Sequence, residues 1–123
     1  MLKILIIGAS SGIGLQAVKY GLDSGHEIRA FSRTAENINL IHSRLEKFLG
    51  DALDKRDVAN AVSGMDVVIQ TLGVPFDVKL LTGPIELFSR STDIVLRAMR
   101  KLDVHRIIAL TGFGAGTSRS SIN

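Results

Sequence analysis

The stretch Lys3 to Ala17, KILIIGASSGIGLQA, leaves the chain few ways to fold. Ile4, Leu5, Ile6 and Ile7 form an unbroken apolar run, the pattern of a parallel strand covered on both faces. Gly8 ends the run, Ser10, Ser11, Gly12 and Gly14 follow, and Leu15, Ala17 and Val18 then open a helix. A strand that passes through such a turn into a helix makes a site for an anion. Its N–H groups face a ligand with no Cβ in the way, and the helix N-terminus adds partial positive charge. That terminus alone favours an anion by only about 0.3–1 kcal/mol when exposed, so donors and shape must supply the rest. Gly12, Gly14 and Ala17 satisfy G-x-G-x-x-G/A, and Gly8, Gly12 and Gly14 satisfy G-x-x-x-G-x-G. Three glycines destabilise a fold and a plain turn needs one, which favours a diphosphate site over a bare turn.

The rest of the chain alternates. A helix to Ser24 is closed by Gly25, with Leu15, Val18, Tyr20 and Leu22 along it. His26 to Arg33 reads as a second strand and Ala35 to Ser43 as a short helix with a loose apolar face. Lys47 to Leu53 is a third strand and its exit, and Asp54 to Ser63 a helix ended by Gly64. Met65 to Leu72 is a fourth strand and Gly73 to Thr82 a loop. The longest helix starts at Pro84 with Gly83 as N-cap, its apolar face carried by Leu87, Phe88, Ile94, Val95, Ala98 and Met99. Val104 to Thr111 is the fifth strand, followed by a glycine-rich loop and a polar tail. The order βαβαβαβαβ predicts an α/β fold, a doubly wound parallel sheet with helices on both faces. Right-handed crossovers favour strand order 3-2-1-4-5, and ligands of such sheets bind beyond the strand carboxyl ends, between strands 1 and 4. One domain spans residues 1–123.

Composition sets limits. There is no cysteine, which excludes disulfides, thiolate catalysis and cysteine metal sites and fits a reducing cytoplasm. His26, His42 and His105 have no metal-ligand spacing. The formal charge is +3, and Arg90, Arg97, Arg100, Lys101 and Arg106 gather late in the chain. A solvated surface explains that excess; attraction of phosphate-bearing ligands is a second reading. With no Lys/Arg block and no interleaved aromatics, nucleic acid is not an expected partner, and no segment has the length of a membrane span.

Chemistry is expected at the strand carboxyl ends. About 20 residues beyond the glycine turn, an acid would hold the adenosine ribose of NAD. Ser32, Arg33 and Thr34 stand there instead, and a guanidinium grips a 2′-phosphate by charge and paired hydrogen bonds, so NADP is expected over NAD. Asp51 is placed to accept from the adenine amino group while the Ala52 backbone pairs with a ring nitrogen; a loop acid is the plain alternative. Leu72 and Gly73 end the fourth strand, where a small residue lets backbone approach the cofactor, although a simple turn accounts for the dipeptide as well. Thr111 offers a hydroxyl to the nicotinamide end or to a substrate carbonyl, or else caps the glycine loop.

The chain resembles the atypical short-chain dehydrogenase/reductase superfamily, and within it the NmrA-like NAD(P)H-binding group that includes flavin and biliverdin-IXβ reductases. ILIIGASSGIG (4–14), FSR (31–33), GDALD (50–54), GMDVVIQTLG (64–73) and HRIIALTGFGAG (105–116) carry the resemblance. It implies that Ser10, Ser11, Gly12 and Ile13 hold the pyrophosphate and Arg33 the 2′-phosphate. It further implies that Asp51 and Ala52 hold adenine, and that Leu72, Gly73 and Thr111 line the nicotinamide side, with Thr111 the candidate catalytic hydroxyl. The implied activity is NADPH-dependent reduction of a flavin, quinone or similar planar acceptor. A non-catalytic redox sensor of NmrA type, or an inactive cofactor-binding fragment, is the alternative. The glycine spacing follows the main short-chain family, yet its Tyr-x-x-x-Lys pair is absent, the single tyrosine being Tyr20. Relatives continue past the fifth strand, so a truncated C-terminal portion is expected here, with strand 5 as a sheet edge inviting a homo-oligomer.

Overall fold

A computed structural model describes residues 1–10, 12–71 and 82–109, with the side chains of 82–88 excepted. Five parallel strands form one sheet in the order β3-β2-β1-β4-β5. They are β1 (Lys3–Ile7), β2 (Glu27–Ser32), β3 (Leu45–Leu49), β4 (Val67–Gln70) and β5 (Ile107–Ala109). The helices are α1 (Gly12–Asp23), α2 (Lys55–Val62) and α3 (Thr82–Leu102). This is the doubly wound arrangement that the alternation of elements implied.

The apolar run in β1 is continuous because the strand faces two cores. Leu5 and Ile7 pack with Phe31, Val58, Val62, Val68, Val95 and Met99, the layer beneath α2 and α3. Ile4 and Ile6 pack with Val18, Leu22, Ile28 and Ala30, the layer beneath α1. Each fully buried aliphatic side chain contributes about 1.5–3 kcal/mol of transfer free energy, so β1 is the strand from which both layers are built. On its two sides it pairs Ile7 with Phe31 of β2 and with Gln70 of β4.

Local chemistry sets the ends. Asp54 caps α2 by accepting from the Arg56 and Asp57 N–H groups. After α1, Gly25 N–H donates to Leu22 O (3.1 Å) and His26 N–H to Gly21 O (3.0 Å), the paired bonds of a Schellman turn. After α3 the same 6→1 bond runs from Val104 N–H to Met99 O (2.9 Å), and the left-handed position is Asp103, at φ 63°. Arg29, whose neighbours in β2 face the core, closes the end of α2. Its guanidinium donates to Ala61 O (2.8 Å) and Ser63 O (3.2 Å) and pairs with Glu46 (3.0 Å).

Three expectations are corrected. The helix expected over Ala35 to Ser43 is a single 3₁₀ turn, Ala35–Asn37. Ile38 is buried and Leu40 packs partly against the core, while Ile41 is 99% exposed, so these residues form no single helical face to bury. β3 begins at Leu45 rather than Lys47, because its ladder with β2 runs from Ile28↔Leu45 to Ser32↔Leu49. α3 begins at Thr82, so Gly83 is no N-cap and Pro84 sits inside the first turn, where a missing N–H leaves no bond unmade. Tyr20 contributes nothing to the inner face of α1, being 76% exposed. In α3, Val95, Ala98 and Met99 are buried as expected and Ile94 is half-buried. No helix among the described residues is long and apolar enough to cross a membrane.

Candidate functional site

Parallel strands put all their carboxyl ends on one side, and there the turn after β1 is pinned from both flanks. Gly8 and Ala9 N–H both donate to Phe31 O, at 2.9 and 3.2 Å. From the other flank Thr71 N–H donates to Ile7 O (2.9 Å), and its hydroxyl donates to Ile7 O (3.1 Å) and Gly8 O (3.3 Å). Gly8 and Ala9 are therefore committed to the fold. The donors left for a ligand come from the turn that follows and from the start of α1, whose first N–H groups have no partner within the helix.

The glycines divide the work. At Gly12 the backbone is left-handed (φ 58°), and a Cβ there would meet nothing within 4 Å. The space in front of the helix start is open. Gly14 is the opposite case: a Cβ would overlap the Gly8 carbonyl and come within 2.6 Å of Thr71 Oγ1. Gly14 is buried, so its part is close packing of α1 on the strand ends rather than contact with a ligand.

A cleft of about 310 Å³ opens over the ends of β1, β2 and β3. Gly8, Ser10, Arg33, Asp51 and Ala52, all expected at the site, line it. Ile13, half exposed, sits in the first turn of α1. Three hydroxyls form a triangle in the cleft wall. Ser10 Oγ accepts from Ser32 Oγ (2.9 Å) and from Thr34 Oγ1 (2.9 Å), and Ser32 Oγ accepts from Thr34 N–H (3.0 Å). The three hydroxyls are joined to one another and all line the cleft. Arg33 stands beside this group, exposed. Hydroxyls and a guanidinium together make a place for an anion.

On the far wall the β3–α2 turn is stiffened by its own acids. Asp51 Oδ1 accepts from Leu53 N–H (2.9 Å), and Asp51 N–H donates to Asp57 Oδ2 (3.0 Å). One oxygen of Asp51 thus serves the turn and the other remains for a ligand donor. Ala52 is buried, which leaves its backbone as the contact it can offer.

Ser11, Leu72, Gly73 and Thr111 lie outside the described residues. Thr71 is the residue that sequence reasoning missed. Its signal was a hydroxyl at the carboxyl end of β4, one residue after Gln70. Behind it, buried Gln70 donates from Nε2 to Ser91 Oγ of α3 (2.6 Å), which ties the end of β4 to that helix.

Comparison with known proteins follows the same lines. The chain is 33% identical over 72 residues to a 3-beta-hydroxysteroid dehydrogenase of Mycolicibacterium neoaurum, a match covering 58% of this chain and 19% of the dehydrogenase. Among solved structures it is similar to a Rossmann-fold NAD(P)-binding family protein from Shigella flexneri, with TM-score 0.70, 24% identity, and coverage of 88% of this chain and 50% of that one. It is also similar to a short-chain dehydrogenase/reductase from Veillonella parvula, with TM-score 0.73, 18% identity, and coverage of 93% and 49%. At these identities the two structures establish the fold. The chain spans half or less of the length of each of the three proteins. A family model for NAD(P)H-binding domains matches residues 8–122, nearly the whole chain and every strand but the first in full, and by that match this chain belongs to the NAD(P)H-binding family.

Proposed function

We propose that this chain is the coenzyme-holding domain of an NADPH-dependent reductase whose acceptor is a flavin, a quinone or a similar planar molecule. The observation that carries the choice of NADPH is the hydroxyl cluster of Ser10, Ser32 and Thr34 beside the exposed Arg33. A 2′-phosphate is an acceptor-rich dianion and matches a hydroxyl donor and a guanidinium; a plain 2′-hydroxyl calls for a carboxylate, and none stands there.

The residues fit the coenzyme in size and sign. Gly12 leaves room at the helix start for a diphosphate, with N–H donors and the helix dipole directed at it. Asp51 accepts from the adenine amino group with its uncommitted oxygen, and Ala52 offers its backbone. Leu72, Gly73 and Thr111 serve the nicotinamide end in this reading. When bound, the reduced nicotinamide supplies a hydride, and the chemistry of that step is the coenzyme's. The chain's own part is to hold both phosphates, fix the adenosine half and so set the direction in which the nicotinamide reaches past β4. A homo-oligomer through β5, one of the two edge strands among those described, belongs to the same proposal. Light scattering at a multiple of the 13.3 kDa chain mass tests it.

One observation favours a second reading, a non-catalytic sensor of NADPH. The single tyrosine of this chain, Tyr20, is 76% exposed on α1 and is not itself a positioned acid over the crevice. NADPH consumption with FMN or a quinone as acceptor separates the two. Turnover that depends on Arg33 supports the reductase; tight NADPH binding without turnover on any planar acceptor supports the sensor.

A further inference from the structure

The positive charge of this chain is concentrated in one segment. Residues 89–106 hold Arg90, Arg97, Arg100, Lys101 and Arg106 against Asp93 and Asp103, a net of +3. The remaining residues balance ten cations against ten carboxylates, so this segment carries the whole formal excess. All five cations are exposed. Arg90, Arg97 and Lys101 are spaced by seven and four residues and therefore share one face of α3 over about 16 Å, at 1.5 Å per residue. Arg106 lies beyond the helix, after a turn in which Asp103 is left-handed and Val104 N–H is bonded to Met99 O.

The two carboxylates do not neutralise this face. Asp93 pairs with Arg97 at 3.1 Å and Asp103 meets His105 at 2.9 Å, both pairs largely in solvent. Arg90, Arg100, Lys101 and Arg106 have no ion-pair partner among the described residues. Arg100 and Lys101 in the last turn complement the helix dipole. That accounts for neither Arg90, three turns earlier, nor Arg106, beyond the helix.

The chemistry of the patch selects its occupant. Four of the five cations are arginines, whose forks pair with carboxylates as they do with phosphates. No Phe, Tyr or Trp lies in 89–106 and His105 is its one ring, which leaves little of the aromatic platform on which single strands stack. Leu102, 39% exposed, is its one exposed large apolar side chain, too little to enter a lipid layer. One apolar contact ringed by cations suits a protein segment with an apolar side chain among acids. We propose that the outer face of α3 and the turn to β5 dock an acidic segment of a partner protein. α3 runs antiparallel to the strands, so its C-terminal end lies at the opposite end of the sheet from the cleft of Ser10 and Arg33. A partner seated there leaves the coenzyme site open, and coenzyme and partner bind together.

The test uses fluorescence anisotropy with a labelled Glu/Asp-rich peptide bearing a central leucine. A single-stranded oligonucleotide and anionic phosphatidylserine vesicles serve as competing probes. The triple variant R100E/K101E/R106E is set against K19E/K47E/K55E, which makes the same change in net charge elsewhere. The expected result is salt-sensitive peptide binding that the first variant weakens at least about tenfold and the second less than about twofold. Thermal melts of both variants establish that they fold, and the milder R100Q/R106Q, expected to weaken binding in the same direction, replaces the first if it does not. Absence of peptide binding, equal weakening by the two triple variants, or tighter binding of oligonucleotide or vesicle would overturn the proposal.

Discussion

In the proposed reading Ser10 helps to set coenzyme choice. Its hydroxyl is hydrogen-bonded to Ser32 and Thr34, in the cluster beside Arg33. Arg33→Ala removes a charge-assisted pair, so NADPH affinity should fall about 10- to 100-fold with NADH affinity nearly unchanged. Equal losses for both coenzymes in titration calorimetry would contradict the assignment. Gly14→Ala tests a different claim, that this glycine packs rather than binds. The added methyl would overlap the Gly8 carbonyl, so urea unfolding should show a loss of about 1–3 kcal/mol even without coenzyme. The glycine spacing and the basic residue after β2 were legible because each is a local pattern with a local cause. Thr71 was not, because its value depends on Ile7 and Gly8, more than sixty residues away, meeting it across the sheet.

At the scale of the element, ends were written more plainly than middles. Gly25 and Gly64 stop α1 and α2 where expected, and Asp54 caps α2 with two backbone bonds. Asp54→Ala should lower stability by about 1 kcal/mol in a thermal or urea melt. Asp103 is an opportunity in the other direction. It holds a left-handed conformation that glycine adopts freely, and its contact with His105 is too exposed to offset the strain. Asp103→Gly should therefore raise stability by about 1 kcal/mol; a loss of that size would mean the His105 contact matters more than its exposure implies. The segment after Arg33 was misread for a physical reason. Ile38, Leu40 and Ile41 fit a loose helical spacing, yet Ile41 has no core to enter, and burial rather than spacing settles whether a second turn forms.

For the whole molecule, strand order followed from alternation and handedness, which admit few topologies, and the order 3-2-1-4-5 is the one observed. The crevice expected between strands 1 and 4 involves Leu72 and Gly73, outside the described residues, while the cleft described lies over the carboxyl ends of β1, β2 and β3. The wall of that cleft was not legible in the sequence. The hydroxyl triangle joins residues from two strand ends, and its geometry exists only once β1 and β2 are in register. The account stands or falls on whether that corner selects a 2′-phosphate. Titration calorimetry of NADPH and NADH into the intact chain measures it directly. Saturable NADPH binding at least about tenfold tighter than NADH is the expected result, a preference of about 1.4 kcal/mol or more. No binding of either coenzyme, or equal affinity for both, would contradict it.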